Sequence, residues 1–272
     1  MKQVIILLAG ISMSLTGLAQ TDSTKTESDT IRVGGMIIIK KESRNKNGQE
    51  TEVKTYHRKN SNSRVSTNWW IIDLGFANYT DNTNYNSVAA MAFAPGLNKD
   101  DLKLRAGKSV NVNIWAFMQR LNISKKVVSL KYGLGVELNN YRYKTPVLYN
   151  TNPTTIVVDN SRTYKKNKLA ADYVTVPIML NFNLTPKRKK GFGFSIGASG
   201  GYLYSSRQKT ITEPGGKHKE HDDFDLRPWK LSYIGELSLG AVKLYGSLAS
   251  QSMFEKGFDQ TPFNFGLRFS NW

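Results

Sequence analysis

Long runs in which apolar residues alternate with small or polar residues limit what this chain can fold into more than any other feature. In residues 191–204, for example, Phe192, Phe194 and Ile196 alternate with glycine and serine. Alternation with a period of two is typical of a β-strand whose two faces meet different environments. Eight such segments follow one another, at approximately residues 67–79, 108–121, 128–140, 172–184, 191–204, 228–239, 241–253 and 262–270.

The length of these segments favours a membrane protein over a soluble sandwich. Strands of globular proteins usually have about 5–6 residues, whereas a strand that crosses a bilayer has about 10. Lipid would cover the apolar faces, and side chains would fill a polar interior. The sheet must then close, because lipid offers no partner to an open edge. We therefore predict an all-β fold, an eight-stranded antiparallel up-and-down transmembrane β-barrel, with a soluble β-sandwich as the structural alternative.

The connections between the segments alternate in length. The short connections are residues 122–126, 185–190 and 240–241. The longer connections, which alternate with them along the chain, are residues 80–107, 144–171, 205–227 and 254–261. Outer-membrane barrels have short periplasmic turns and long outer loops. If the N-terminus is periplasmic, eight strands require the order loop, turn, loop, turn, loop, turn, loop, and this chain follows that order throughout.

The first residues have the pattern of an export signal. Lys2 precedes two apolar stretches, and small residues lie where a signal peptidase would cut. We expect residues 1–19 to be a signal peptide, residues 20–65 a short polar periplasmic segment and residues 66–272 the outer-membrane barrel.

The polar segment itself has two β-prone runs. Residues 31–39 and 51–56 flank an Asn-Gly-containing stretch, which is the pattern of a hairpin. A flexible periplasmic tether is the alternative.

The charge balance has to be interpreted together with this export signal. A formal net charge of +17 would ordinarily suggest nucleic acid or anionic lipid as a partner. Export from the cytoplasm argues against nucleic acid, so we expect the loops, turns and strand ends to face outer-membrane lipids. The chain has no cysteine, which excludes disulfides, thiolate zinc sites, cysteine nucleophiles and a lipid anchor on cysteine.

Six charged residues fall on the face that we predict to point into the barrel: Asp73, Lys131, Glu137, Glu236, Lys243 and Arg268. Three acids and three bases cancel in formal charge. Because side chains fill an eight-stranded barrel and an unpaired charge there would cost several kcal/mol, we expect a structural network of ion pairs. A proton or ion path, or a hydrolytic pair of carboxylates, is the functional alternative.

Aromatic residues gather near the segment ends, where amphipathic rings favour the membrane interface. We predict that Trp69, Trp70 and Trp272 lie at the periplasmic rim. Near the outer rim we expect Tyr79, Tyr141, Tyr143, Tyr173, Tyr202, Tyr204 and Trp229.

Motifs that would carry chemistry are weak. His218 and His221 have carboxylates nearby and are candidate metal ligands, but we expect a solvated loop because no regular element would hold them in place. The basic run at residues 187–190 falls in a short turn, where it would face lipid phosphates or water. The chain has neither a Gly-x-Ser-x-Gly elbow nor a Walker-type phosphate loop. We expect no catalytic, cofactor or metal site.

Three stretches carry a resemblance to a known family: residues 70–75 (WIIDLG), 173–180 (YVTVPIML) and 265–269 (FGLRF). Across about residues 66–272 the chain resembles the small PorT-like outer-membrane β-barrel proteins of Gram-negative bacteria. The resemblance implies a barrel inserted by the barrel assembly machinery, which reads an aromatic final strand. Some relatives serve protein secretion and gliding.

Three functions follow as hypotheses. The favoured one is a non-enzymatic barrel whose loops or tether bind an envelope protein partner or support envelope integrity. The second is an accessory component of a secretion or gliding machine, and the third is a membrane-embedded hydrolase.

Overall fold

The computed structural model describes residues 29–33, 36–42, 51–57, 64–124, 127–186 and 191–270. The expected signal peptide, the basic run at 187–190 and Trp272 lie outside the described residues. The chain divides into two compact units, Met1–Asn62 and Ser63–Trp272. In the described residues, no α-helix is both long enough and apolar enough to cross a membrane.

The first unit contains a small antiparallel sheet. Its strands are β1 (Asp29–Val33), β2 (Met36–Glu42) and β3 (Thr51–His57), and β2 lies in the middle. The pairing of β2 with β3 aligns Met36 with His57.

The second unit is the barrel. Its strands are β4 (Val65–Asp81), β5 (Val110–Ser124), β6 (Val128–Arg142), β7 (Val147–Asn150), β8 (Thr155–Val158), β9 (Thr163–Asn183), β10 (Phe192–Glu213), β11 (Gly216–Glu220), β12 (Trp229–Leu239), β13 (Val242–Ala249) and β14 (Gln260–Phe269). Eight of them, β4, β5, β6, β9, β10, β12, β13 and β14, pair antiparallel in chain order. The ring closes where β14 pairs with β4. The predicted fold, an eight-stranded antiparallel barrel, is confirmed.

The alternation in the sequence separates the inside of the barrel from the outside. On β10, Phe192, Phe194 and Ile196 are exposed on the outer surface, while Gly193 and Ser195 are buried inside. Glycine on the inner face makes room for large neighbours. A Cβ on Gly135 would lie 2.7 Å from Cε3 of Trp115, so only glycine lets that ring pack against β6.

Two strands are much longer than predicted. β9 has 21 residues and β10 has 22, because each continues beyond the apolar surface into residues predicted as loop. Their extensions pair with each other, and β11 adds to the edge of β10. β13 is shorter than predicted and ends at Ala249. Its predicted last residues instead turn inward, where Met253 is buried.

The four long connections pack together over one end of the barrel, which we call the long-loop end; the opposite end is the short-turn end. The first connection contributes a short helix, α1 (Val88–Phe93), and the second contributes the β7–β8 hairpin. Phe93 meets Phe258 edge to face with ring centroids 5.1 Å apart. These residues belong to one buried apolar cluster that also contains Tyr149, Phe224 and Phe254, and we call this cluster the cap.

Candidate functional site in the barrel interior

The strand register brings four of the six predicted interior charges together. Asp73 on β4 and Arg268 on β14 are direct register partners across the closing pair of strands. Glu236 comes from β12 and Lys131 from β6, and all four side chains are buried. Their placement follows from period two, because each shares its face with the small inner residues of its strand.

Arg268 is the centre of this group. Its Nε and Nη2 donate to Oδ1 and Oδ2 of Asp73 at 2.7 Å each, and its Nη1 donates to Oε2 of Glu236 at 2.6 Å. Lys131 Nζ lies 2.7 Å from the other oxygen of Glu236. We call these four residues the ion-pair centre. Two acids and two bases share one buried site without a net formal charge.

Neutral donors complete the shell of Asp73. Trp115 Nε1 donates to its Oδ2 at 2.8 Å, and Asn113 Nδ2 donates to the same oxygen at 3.2 Å. Asp73 itself is 0% exposed. With donors on both oxygens, this carboxylate is held in one geometry and is satisfied as a buried anion.

Glu137 lies apart from the ion-pair centre. It forms an ion pair with Lys230, and it accepts hydrogen bonds from Asn139 at 3.1 Å and Asn264 at 3.0 Å. The Lys230 ammonium also lies 5.1 Å from the centroid of the Tyr173 ring, within the range of a cation–π contact. The partner of Glu137 is therefore a residue outside the predicted six.

Asparagines connect the two groups. Asn111 Nδ2 donates to Oδ1 of Asn113 at 3.0 Å and to Oδ1 of Asn139 at 2.9 Å. Tyr245 donates its hydroxyl proton to Oδ1 of Asn111 at 2.5 Å. A continuous hydrogen-bonded network thus runs from the ion-pair centre to Glu137.

Lys243 lies nearer the short-turn end, where its ammonium donates to Oγ of Ser270 at 2.5 Å.

The predicted balance of three acids and three bases needs correction. Lys230 and Glu236 are both at even positions of β12 and therefore lie on the same face of the strand. The alternation in the sequence could thus have predicted that Lys230 points inward. Arg120 is also on the inner face, aligned with Lys131, because the register shifts between Trp115 and Phe117. The shift reverses the parity of the inner face within β5, so the alternation of the first half of the strand does not predict which residues of the second half point inward.

A corresponding irregularity turns two adjacent tryptophans outward. The pairing of β4 with β5 aligns Trp69 with Phe117 and Ile71 with Trp115, so Trp70 forms a bulge between them. The φ of Trp70 is +56°. Trp69 is consequently 63% exposed and Trp70 73% exposed, while Ile71 is buried. Both tryptophans lie on the outer surface, as do Tyr202, Tyr204 and Trp229.

The prediction that Tyr141, Tyr143 and Tyr173 face lipid is wrong. All three are buried inside, at 2%, 2% and 3% exposure. Tyr141 and Glu137 are both at odd positions of β6, so they point into the barrel together. The position of a residue along the strand decides its direction, whatever the preference of an amphipathic ring for the interface. Tyr79 also differs from its prediction, since it points inward and donates to the carbonyl of Leu102 in the cap.

This arrangement suits a structural role better than a chemical one. A general acid or base needs a free lone pair or proton near a substrate, but the carboxylates of the ion-pair centre are occupied by Arg268 and Lys131. The expectation of a loop without a regular element is wrong for His218, which lies on β11 opposite Thr210, whereas His221 follows this strand. Within the described ranges, no three His, Asp or Glu side chains converge as ligands for a metal.

Comparison with known proteins covers most of the barrel. Residues 72–269 match a family model described as the outer membrane protein beta-barrel domain. No curated protein matches the chain.

Proposed function

Because the chain belongs to the outer membrane protein beta-barrel domain family and is an outer-membrane protein, we propose that it is a closed, non-enzymatic barrel. In this proposal the barrel holds the protein in the outer membrane, and its loops or its N-terminal unit bind an envelope partner or support envelope integrity. The N-terminal unit then lies in the periplasm, and the long-loop end faces the outside.

The observation that carries the proposal is the filled interior. A diffusion channel needs a column of water along its axis, whereas Arg268 binds carboxylates from two other strands across the lumen. Side chains fill the inside of eight-stranded barrels in general. The cap packs over the long-loop end and adds a second obstacle to solutes.

Envelope integrity is tested in a strain that lacks the protein. We expect greater sensitivity to detergents and to bulky antibiotics, and restoration by the full chain. The Arg162→Met variant, which is changed at an exposed position, serves as a control for expression. Normal resistance of the deletion strain, together with no capture of an envelope protein by the full chain, would contradict the proposal.

A hydrolase would give a different pattern. Asp73→Asn and Glu236→Gln would each abolish turnover of a lipid or peptide substrate without unfolding the barrel. In the structural role that we propose, the same variants reduce stability and leave no activity to lose. Comparison of activity with folded yield separates these outcomes.

A role as an accessory component of a secretion or gliding machine is the second candidate. The β1–β3 sheet favours it, because its outer strands β1 and β3 have edges that can pair with a strand of another protein. Photo-crosslinkers introduced at positions 30 and 54 of the full chain should capture one defined partner in intact cells. Crosslinking that yields only lipid or unrelated proteins would contradict this role.

A further inference from the structure

The outer surface of the barrel changes character abruptly toward the long-loop end. Apolar side chains form a belt, which on β6, β9 and β10 ends at Leu138, Val174 and Tyr204. Beyond this belt the outward positions are mostly polar: β9 carries Asp172 and then, past Ala170, Lys168 and Lys166, while β10 carries Arg207 and Lys209. The change happens within continuous strands, so the charges are held on the wall of the barrel rather than on loops.

The length of β9 fixes how far these charges extend from the belt. A membrane-spanning strand needs only about 10 residues, and β9 has 21. Lys168 comes six residues beyond Val174, which is roughly 20 Å along the strand and about 14 Å along the membrane normal at a tilt near 45°. Lysine side chains bend back toward a membrane interface. The ammonium groups therefore reach the level of lipid headgroups.

Four cations lie side by side at this level, on four adjacent strands. Lys168 of β9 is the register partner of Arg142 on β6 and of Lys209 on β10, and Lys209 is also the partner of Lys219 on β11. We call these four residues the cationic row. Directly opposite side chains are about 5 Å apart at their Cβ atoms. The row thus places four positive charges within about 15 Å along the wall.

Little on the protein itself balances these charges. The nearby carboxylates are engaged elsewhere, since Asp172 pairs with Arg207 and Glu213 pairs with Lys165. Among the residues that the structure describes, no carboxylate is within ion-pair distance of Lys168, Lys209 or Lys219. Like charges directly opposite on a sheet are destabilising, so the row favours an external anion with several charges.

We propose that the cationic row binds the phosphate groups of lipid headgroups in the leaflet on the long-loop side. The row faces sideways from the barrel wall and continues directly from the apolar belt, so a lipid that packs its chains on the belt brings its phosphates to the row. A soluble polyanion would gain nothing from the belt. This inference goes beyond the proposed function, because it holds whether or not the barrel is closed.

The test measures lipid retention by the detergent-solubilised full chain in native mass spectrometry. The probes are lipid A, which carries two phosphates, and the same lipid after enzymatic dephosphorylation. The Lys209→Gln/Lys219→Gln variant removes two charges of the row. The Lys103→Gln/Lys256→Gln variant removes two lysines that pair with Asp100 and Asp225 instead.

We expect wild type to retain lipid A and not its dephosphorylated form. Each lysine near an anionic surface contributes on the order of 1 kcal/mol, so the first variant should bind lipid A about thirty-fold more weakly. The matched control should stay within about two-fold of wild type. Lys209→Arg/Lys219→Arg keeps the charge and should keep the binding, which separates loss of charge from loss of fold.

Three results would overturn the inference. One is equal retention of lipid A by wild type and by Lys209→Gln/Lys219→Gln. Another is equal retention of the phosphorylated and dephosphorylated lipid. The third is displacement of lipid A by inorganic phosphate or by heparin at the same concentration, since the row would then be a general anion site rather than a lipid site.

Discussion

Replacement of Arg268 by methionine tests the ion-pair centre most severely. The change removes three charge-assisted hydrogen bonds, two to Asp73 at 2.7 Å and one to Glu236 at 2.6 Å. Glu236 keeps Lys131 as its partner, whereas Asp73 keeps only the neutral donors of Trp115 and Asn113. A carboxylate that is 0% exposed then lacks a cation.

The expected loss follows from two estimates. Hydrogen bonds to charged groups contribute about 1.5–3 kcal/mol each, which gives an upper range for the three bonds together. Removal of one partner from a buried ion pair usually costs about 3–5 kcal/mol, because the protein relaxes and the remaining donors compensate in part. We expect the free energy of unfolding to fall by about 3–5 kcal/mol.

The assay is urea unfolding of the full chain in lipid vesicles, followed by tryptophan fluorescence. Arg162→Met is the matched control, since Arg162 is exposed in the connection before β9, and it should change the free energy of unfolding by less than about 0.5 kcal/mol. Asp73→Asn combined with Arg268→Met should recover part of the loss, because the stranded charge is gone. If Arg268→Met alone stays within about 1 kcal/mol of wild type, the interior does not depend on this centre and the reasoning is refuted.

Three further predictions concern the packing and the loops. Gly135→Leu should destabilise the barrel by about 1–3 kcal/mol in the same unfolding assay, because a Cβ at that position would lie 2.7 Å from Trp115; unchanged stability would contradict the close approach. Asp159 lies in the loop before β9. Hydrogen bonds, of which that from the Ser161 side chain has the largest effect, lower the pKa of Asp159 to about 2. Ionised Asp159 therefore contributes fully to the stability of the folded protein above about pH 4, and this contribution is lost as the pH falls through about 2. Ser161→Ala should raise this pKa, as measured by the pH dependence of the carboxyl NMR shift, and an unshifted titration would count against it. Phe254→Ala should loosen the cap by about 3–5 kcal/mol and expose the long loops to protease, so a digestion pattern like that of wild type would show that the cap does not depend on this ring.

Period-two alternation carries most of what the sequence predicted correctly. It separates inner from outer positions, so it placed Asp73, Lys131, Glu236 and Arg268 on one surface, and closure of the barrel brought them into contact. The count of alternating segments predicted the number of strands, and the alternation in connection length predicted the order of loops and turns. Partner choice was beyond the sequence, because the register between strands decides which inner residues share a level.

The failures have equally specific causes. The backbone irregularities near Trp70 and Ala116 change the parity within β4 and β5, which hid the inward position of Arg120. Tyr141 and Tyr143 were assigned by their ring chemistry, whereas their parity placed them inside. The extensions of β9 and β10 lack an apolar face, so a search for alternating apolar residues treated them as loop.

No local pattern in the sequence predicted the cap. It brings together side chains from four separate connections, such as Phe93, Tyr149, Phe224 and Phe254. Contacts between distant loops depend on the closed barrel that holds the loop ends, so local patterns cannot predict them.

The closed interior is tested most directly by the conductance of the purified full chain in a planar bilayer, with an open porin as the positive control. Arg268 and the residues that it binds fill the lumen, and the cap covers one end, so we predict no current steps above the leak of the bare membrane. Insertion should be verified by the heat-modifiable migration of the recovered protein on a gel. Stable, ohmic steps from the folded chain would contradict a filled barrel and the function that we propose for it.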